Sequence, residues 1–373
     1  MNRRGKLKTG FTTGACAAAA ARAARMALLG RKVPSKIGVL FPDGKVRRLP
    51  VESAVCSGSV AVAKIVKYAG DDPDVTDGAV VSAKVSVVSR GDSKSADHIE
   101  KAGVGFVVIR GGTGVGIVTR PGLDVPVGKC AVNPVPRRML AENLNAVRKI
   151  GKGEFLLVEI GIGGGARLAK RTLNPTLGVV GGLSVLGTSG IVYPYSNKAY
   201  IDTVKVLLRG CARTGVKHVV LCTGGRTANL SMADYPDLPE HAFIRIGDFI
   251  GESLCEAAKY KFQRVTVACM PGKAFKYRMG LGNTHAHRAE LEIAVMRPDL
   301  EACGVPESVV ASVMKAATVR EVLEILPKRY HVRLMDVILE GALRRLGAWF
   351  RGAGLGIVCY GNDGRKMGAL QSK

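Results

Sequence analysis

The sequence predicts an α/β protein with mixed α+β character, and three patterns along its 373 residues support this class. Residues 36–160 combine short apolar strand patterns with glycine and proline turns, which is typical of an α+β domain. Strands and helices alternate over residues 201–273, which predicts a Rossmann-like domain with a mostly parallel sheet. An arginine and leucine pattern near the C-terminus predicts a helical tail that packs on the second domain. We therefore expect domains at residues 1–190 and 191–308, followed by the tail at residues 309–373.

The first predicted element is a helix over residues 15–29, because this stretch consists mainly of strong helix formers and ends before Gly30. Thr12, Thr13 and Gly14 precede the helix. The first N–H groups of a helix lack partners inside it and carry a partial positive charge. These three residues therefore predict either a simple N-cap or a site for an anionic group, and the local sequence alone favours the N-cap.

The remaining elements follow from apolar periodicity between turn residues. In the first domain we predict strands at residues 36–40, 46–51, 80–89, 105–110, 116–119 and 154–160, and a helix at residues 137–149. In the second domain we predict helices at residues 201–213, 249–260 and from about 273, and strands at residues 217–222, 241–246 and 264–269. Each of these three strands ends in a loop of glycine or polar residues, and ligands of parallel sheets bind beyond the carboxyl ends of the strands.

Two glycine-rich segments are candidates for close approach to a ligand. Residues 158–165 resemble the strand-end signature with which Rossmann-type methyltransferases hold S-adenosylmethionine (SAM), but Asn174 and Pro175 cut short the helix that should follow. A plain turn is therefore the alternative there. Residues 178–190 predict either cofactor contacts or a buried, tightly turned connection between the domains. The predicted cofactor-binding residues are Gly181, Gly182, Ser184, Gly187, Thr188, Ser189 and Gly190.

Carboxylates and histidines supply the candidate proton acceptors. Residues 71–78 hold four aspartates, which predict either a site for a cation or a solvated turn. Asp74 and Asp77 are the candidates among them for a general base. His285 is the third candidate. Together with His287 it offers two metal ligands, but no third ligand lies nearby in the sequence. We therefore expect no metal bound by the protein.

Basic and polar residues at predicted helix starts are the candidate substrate ligands. Arg137 and Arg138 lie where their charges oppose the helix dipole, so they predict either solvated side chains or a clamp for carboxylates. Lys273 lies at a strand-to-helix turn, and Asn283 and Thr284 precede another helix. These positions all direct polar groups toward an anion.

The composition limits the class of partner. There are 55 Lys and Arg against 30 Asp and Glu, giving a formal charge of +25, but the basic residues are scattered and aromatic residues make up only 5%. A polyanionic small substrate therefore fits better than a nucleic acid. No run approaches the ~18 apolar residues of a membrane span, and the nine cysteines show no paired spacing. We expect a cytoplasmic protein without a membrane or nucleic-acid partner.

Seven stretches, in order along the chain, resemble the CbiD family of cobalt-precorrin-5B C1-methyltransferases. They are residues 10–20, 69–79, 114–123, 131–140, 173–194, 247–254 and 283–285. The resemblance implies methyl transfer from SAM to ring carbon C1 of cobalt-precorrin-5B, giving cobalt-precorrin-6A in anaerobic cobalamin biosynthesis. It also explains the positive charge, since the corrinoid substrate carries many carboxylates. The cobalt belongs to the substrate, and a homo-oligomer is left open.

Under this resemblance, Thr12, Thr13 and Gly14 would hold an anionic group, the basic and amide side chains would hold ring carboxylates, and the 181–190 segment would lie against the donor. In the corresponding segment the family tends to have the sequence Gly-His-Ile-Gly-Lys. This chain has Pro271-Gly272-Lys273 there, so it keeps the final Gly-Lys but lacks the histidine. Two alternatives remain at this point. One is a basic nucleic-acid-binding protein, and the other is a Rossmann-type RNA methyltransferase that uses residues 158–165.

Overall fold

The computed structural model of the protein describes residues 7–285, 293–352 and 354–372. Its contacts divide the chain into a first unit, Met1–Ser196, and a second unit, Asn197–Lys373. Within the described residues, no helix combines the length and the apolar character needed to cross a membrane.

The first unit combines a large mixed sheet with two long helices. Its helices are α1 (Thr13–Leu28), α2 (Pro134–Val147) and α3 (Gly165–Ala169). Its strands are β1 (Gly10–Phe11), β2 (Lys36–Leu40), β3 (Val46–Pro50), β4 (Ser53–Ser57), β5 (Val60–Val66), β6 (Val80–Val88), β7 (His98–Ala102), β8 (Gly105–Gly111), β9 (Ile117–Val118), β10 (Phe155–Ile162), β11 (Val179–Val180) and β12 (Ile191–Val192).

The main sheet of the first unit has the order β4-β5-β6-β10-β8-β7. Strand β10 pairs antiparallel with β6 and parallel with β8, so the sheet is mixed. Helix α1 packs against α2 and against β5 and β6. All of its alanines except Ala27 are fully buried, and their small side chains let the helix lie close to these neighbours. Asn143 of α2, also fully buried, bonds the backbone N–H and C=O of Leu40 and so fixes α2 to β2.

The second unit is a layered α/β fold. Its helices are α4 (Asn197–Arg213), α5 (Gly225–Asp234), α6 (Ile250–Ala257), α7 (Pro271–Arg278), α8 (Arg297–Ala302), α9 (Glu307–Val313), α10 (Val319–Ile325) and α11 (His331–Leu346). Its strands are β13 (His218–Cys222), β14 (Phe243–Arg245), β15 (Arg264–Cys269), β16 (Leu355–Tyr360) and β17 (Lys366–Gln371). The sheet order is β14-β13-β15-β16-β17, with β17 antiparallel to β16 and the other pairs parallel.

The predicted mixed α/β class is confirmed, with differences at particular elements. Helix α2 begins at Pro134 rather than at residue 137, because proline is favoured in the first helical turn, where its missing N–H costs nothing. The C-terminal region is helical as far as Leu346, but β16 and β17 then extend the sheet, which the sequence analysis did not predict. All six residues of β16 are buried, and so short an apolar run has no periodicity that separates strand from helix.

Candidate functional site

Four loops meet at the carboxyl edge of the parallel strands in the second unit. We call this region the carboxyl edge; it consists of residues 223–225, 246–248, 270–273 and 361–363, which follow β13, β14, β15 and β16. From β13 the chain runs through α5 to β14, whereas from β15 it continues toward β16 in the opposite direction along the sheet. In open α/β sheets, such a reversal opens a ligand crevice beyond the strand ends.

Asp248 is the centre of a polar cluster at this edge. The Lys273 Nζ lies 3.1 Å from Asp248 Oδ1 and donates a hydrogen bond to the Gly247 carbonyl at 2.6 Å. The Thr284 hydroxyl donates to Asp248 Oδ1 at 2.8 Å. Burial alone would raise the pKa of Asp248, but the hydrogen bond from Thr284 and the charge of Lys273 outweigh it and hold the pKa below its usual range. Asp248 is therefore an ionised acceptor at neutral pH.

The cluster brings together residues that are separate in the sequence. The Asn283 side chain accepts a hydrogen bond from the N–H of His285 at 3.0 Å, and the charge of His285 also acts on Asp248. Four predicted residues, Lys273, Asn283, Thr284 and His285, thus lie in or beside the same cluster. Sequence reasoning missed Asp248 as a site residue, although its position directly after a predicted strand was a usable signal. His287 lies outside the described residues.

A cavity of about 740 Å³ adjoins the carboxyl edge, within the second unit. Its wall contains residues 270–273 after β15, residues 317–320 at the start of α10, and residues 361–363 after β16. Its lining mixes three kinds of side chain, represented by the apolar Leu323 and Met367, the basic Lys276 and Arg365, and the acidic Glu324 and Asp363. This size and mixed lining suit a small organic ligand that carries charges of both signs.

The N-terminus of α1, in the first unit, is capped by its own chain. Thr12 is the N-cap residue, and its hydroxyl accepts a hydrogen bond from the N–H of Ala15 at 3.2 Å. The N–H of Gly14 donates to the Leu186 carbonyl at 3.0 Å. Thr12 and Thr13 are only 7% and 5% exposed. These contacts support the N-cap alternative, and anion binding here stays a prediction.

The Thr13 hydroxyl connects α1 to the glycine-rich segment. It donates to the Ser184 carbonyl at 3.1 Å and accepts from the N–H of Leu186 at 3.0 Å. The Ser184 hydroxyl in turn donates to Asn174 Oδ1 at 2.9 Å. Thr13 therefore fixes the path of residues 184–186.

We expect Thr13→Val to lower the free energy of unfolding by about 0.5–1.5 kcal/mol, because the partly buried N–H of Leu186 then loses its acceptor. Urea denaturation measures this loss. Thr13→Ser retains the hydroxyl and is the control, for which we expect a smaller loss. If Thr13→Val instead keeps its stability and loses affinity for an anionic ligand, the residue belongs to a binding site.

Several glycines of residues 178–190 are required by packing inside the first unit. A Cβ at Gly187 would lie 2.3 Å from the Thr12 hydroxyl oxygen, and one at Gly182 would lie 2.4 Å from the Gly114 carbonyl oxygen. Gly190 packs in the same way against the ring of Phe41. The absence of side chains at these positions is therefore explained by the fold.

The other predicted cofactor-binding residues differ in how exposed they are to solvent. Gly181 and Thr188 are exposed, and no protein atom lies within 4 Å of the Cβ position at Gly181. Ser189 bonds the backbone of Ile191 with its hydroxyl. Cofactor binding by this segment stays a prediction, and Gly181 and Thr188 are its accessible members.

The acidic loop, residues 71–77, holds two distant parts of the first unit. The Asp71 carboxylate accepts a hydrogen bond from the N–H of Lys8 at 2.7 Å. The Asp72 carboxylate accepts one from the N–H of Tyr195 at 3.0 Å. The loop thus binds the chain near both ends of this unit.

Asp74 and Asp77 are also engaged in internal bonds. Asp74 forms an ion pair of 2.7 Å with Lys67, which is only 2% exposed, and accepts two hydrogen bonds from Thr76. Burial alone would raise the pKa of Asp74, but these bonds outweigh it and hold the pKa below its usual range. The Asp77 carboxylate accepts from the N–H of Ala69 at 2.7 Å. This geometry favours structural roles, since a carboxylate stabilised in its ionised form is a weak proton acceptor.

Of the two arginines at the start of α2, one is internal and one is accessible. Arg137 Nε lies 3.3 Å from a Glu100 carboxylate oxygen, and its guanidinium donates to His98 Nδ1 at 3.0 Å. Because His98 accepts at Nδ1, its Nε2 donates to the Cys130 carbonyl, and burial lowers its pKa. Arg138 is exposed.

Within the described part of the chain, no three or more His, Cys, Asp or Glu side chains are grouped so that they could hold a metal ion. Strand β10 and its following glycines, the signature-like residues 158–165, lead only into the five-residue helix α3. The plain turn, given above as the alternative, fits this short helix.

Comparison with known proteins shows the relationship of the whole chain. The sequence matches the family described as CbiD over residues 1–194 and the family described as CbiD, C-terminal domain, over residues 283–370. Cobalt-precorrin-5B C(1)-methyltransferase of Geobacillus kaustophilus is 37% identical over 373 residues, which cover 99% of this chain and 96% of that protein. The protein of the same name from Thermus thermophilus is 42% identical and covers 85% of this chain and 81% of its own length. The crystal structure of cobalamin biosynthesis protein CbiD from Archaeoglobus fulgidus is 26% identical, covers 71% of this chain and 78% of that one, and has a TM-score of 0.37. The chain belongs to the CbiD family.

Proposed function

We propose that this protein is a SAM-dependent methyltransferase that methylates C1 of cobalt-precorrin-5B to give cobalt-precorrin-6A. The observation that carries the proposal is the near full-length relationship to proteins whose names specify this methyl transfer. The relationship favours this activity over nucleic-acid binding and over methylation of RNA. The parallel strands of the second unit also support a Rossmann-like arrangement there.

The charge of the chain suits the corrinoid substrate. A formal charge of +25 attracts a ring that carries several carboxylates and speeds their encounter. Arg138 is the predicted ligand whose guanidinium is exposed, whereas Arg137 is held by Glu100 and His98. We assign ring-carboxylate binding to Arg138 and the positioning of α2 to Arg137.

The residues at the carboxyl edge fit a methyl donor of the SAM type. When bound, SAM supplies an electrophilic methyl group on a sulfonium sulfur. The carboxylates in the adjoining cavity, Glu324 and Asp363, suit the donor's ammonium and ribose hydroxyls, and the basic Lys276 suits its carboxylate. The protein's task is then to align the donor with the ring carbon, because an in-line displacement depends mainly on distance and orientation.

We assign uptake of the released proton to His285. Asp74 is held in its ion pair with Lys67, and Asp77 holds the backbone N–H of Ala69, so both have structural partners inside the first unit. His285 is exposed and lies beside Asp248, and an imidazole is the side chain most often used to accept a proton in catalysis.

The test is methyl transfer from isotope-labelled SAM to cobalt-precorrin-5B, followed by mass spectrometry and by NMR at C1. We expect one labelled methyl group at C1 with the wild-type chain. With His285→Gln we expect the rate of methyl transfer to fall by a factor of about 10² or more. His241→Gln removes an imidazole on the opposite edge of the sheet and is the control, with an unchanged rate expected. Absence of labelled product with the wild-type chain would contradict the proposed function, and an unchanged rate for His285→Gln would contradict the assignment of the base.

A further inference from the structure

We propose that the methyl donor binds in the second unit, at the carboxyl edge between β13 and β15, with its body in the adjoining cavity and against Gly224 and Gly272. This inference rests on the proposed function, since it assigns a place to the donor of that reaction. It differs from the sequence prediction, which placed the donor on residues 181–190 of the first unit.

The first argument comes from what each glycine does in the fold. A glycine is needed where φ is positive or where a Cβ would strike a neighbour. Among the glycines whose surroundings are described, Gly224 and Gly272 alone combine an ordinary φ with no protein atom within 4 Å of the Cβ position. The described fold therefore gives no reason for glycine at either position, and close approach of a ligand to the backbone is a reason that remains.

The position of these two glycines supplies the second argument. Gly224 lies in the loop after β13, and Gly272 is the second residue of α7, the helix that follows β15. These are the adjacent strands whose onward connections diverge, and the N–H of Thr223, directly after β13, donates a hydrogen bond to the Ala268 carbonyl in β15 at 3.1 Å. The two unexplained glycines thus flank the place where the topology of the sheet opens a crevice.

The cavity supplies the third argument. Gly272 and Asn362 both line the cavity of about 740 Å³. The Asn362 carbonyl accepts a hydrogen bond from the guanidinium of Arg226, two residues after Gly224, so the segment after Gly224 is bonded to a residue of the cavity wall. Its volume lies within the range of about 300–1,000 Å³ that holds cofactor-sized ligands.

The lining of the cavity agrees with the chemistry of the donor. Met270, Leu323 and Met367 offer apolar surface for an adenine ring. Asp363 offers carboxylate oxygens, and Lys276 an ammonium group, at other parts of the wall. A ligand with an aromatic base, hydroxyls, an ammonium and a carboxylate can satisfy all three kinds of surface.

The competing glycines of residues 178–190 are explained by the fold. Gly182 and Gly187 are required by contacts within 2.5 Å of their Cβ positions, and Gly181 has a φ of +82°. Gly163, in the signature-like residues 158–165, has ordinary contacts of 3.6 Å or more and so has room for a methyl group in the protein alone. It is a matched control in the other unit.

The experiment measures the affinity of the full chain for S-adenosylhomocysteine by calorimetry, with thermal unfolding as a check on folding. We expect Gly224→Ala and Gly272→Ala each to weaken binding about tenfold or more, because the added Cβ occupies space that the ligand fills. Gly163→Ala should bind as the wild type does. Hydrogen–deuterium exchange of the wild-type chain gives an independent readout, with slower exchange expected at residues 223–226 and 270–273 when the ligand is added.

The outcomes separate the two proposals. If the wild-type chain methylates cobalt-precorrin-5B but both alanine variants keep their affinity, or if exchange slows only at residues 178–190 or 158–165, this inference is overturned and the proposed function stands. If the wild-type chain neither binds S-adenosylhomocysteine nor transfers a methyl group from SAM, the proposed function fails as well.

Discussion

The Asp74→Asn variant is expected to lose about 3 kcal/mol of unfolding free energy, one of the two largest losses that we expect from a single substitution in this protein. Lys67 is 2% exposed and its ammonium lies 2.7 Å from Asp74. Removing one partner of a buried ion pair leaves the other charge without compensation, which costs about 3–5 kcal/mol. The asparagine still accepts a hydrogen bond, so we expect the lower end of this range.

The same pair predicts how stability depends on pH. The pKa of Asp74 is lower in the folded chain than its ordinary value of about 3.9, so the pair stabilises the fold above that value. This contribution disappears as the pH falls toward the lower pKa of the folded state. The wild-type chain should therefore lose more unfolding free energy than Asp74→Asn when the pH falls below about 4.

Urea denaturation at several pH values measures both effects. Asp43→Asn is the matched control, since it makes the same chemical change in the exposed pair with Arg47, where solvent screens the charges and only a small loss is expected. A loss at Asp74 no larger than at Asp43, or equal acid sensitivity of wild type and Asp74→Asn, would show that the pair does not stabilise the fold.

Gly114→Ala is expected to unfold the first unit or to destabilise it by more than about 3 kcal/mol. A Cβ at this position would lie 2.0 Å from the Ile162 carbonyl oxygen, and the residue has a φ of +80°. The unfavourable φ costs about 1–3 kcal/mol, and forced movement of packed backbone adds a similar amount. Circular dichroism and denaturant unfolding of the full chain measure the effect.

Gly181→Ala separates the two contributions. Gly181 has nearly the same φ, +82°, but no protein atom within 4 Å of its Cβ position, so only the cost of the backbone conformation applies. We expect the loss for Gly181→Ala to be less than half of that for Gly114→Ala. Equal losses would show that the close approach of Gly114 to Ile162 adds nothing.

The fold was predictable where local sequence carries strong periodicity. Helix α1, the β2–β3 hairpin and β15 follow from alanine content, a tight turn and a β-branched apolar run. Strands β4, β5 and β7 were not predicted, because register and pairing depend on neighbours that are distant in the sequence. The same holds for β16, whose place beside β15 is set by tertiary packing.

The candidate site was predictable only in part. Lys273 and Thr284 were found from polar residues near helix starts, but their contacts with Asp248 are visible only once the strand ends lie side by side. The high number of glycines made residues 178–190 a candidate cofactor site. The number of glycines in a segment does not show which of them the fold itself requires. That distinction needs the φ angle and the neighbours of each Cβ position, as at Gly187 and Gly272.

The acidic loop has a consequence for the architecture of the first unit. By holding Lys8 and Tyr195, it brings the beginning and the end of this unit to one place, where β1 also pairs with β12. The two ends of the polypeptide segment that forms this unit therefore lie close together. This is the geometry of a module that can be inserted into a longer chain, or circularly permuted, without rethreading its sheets.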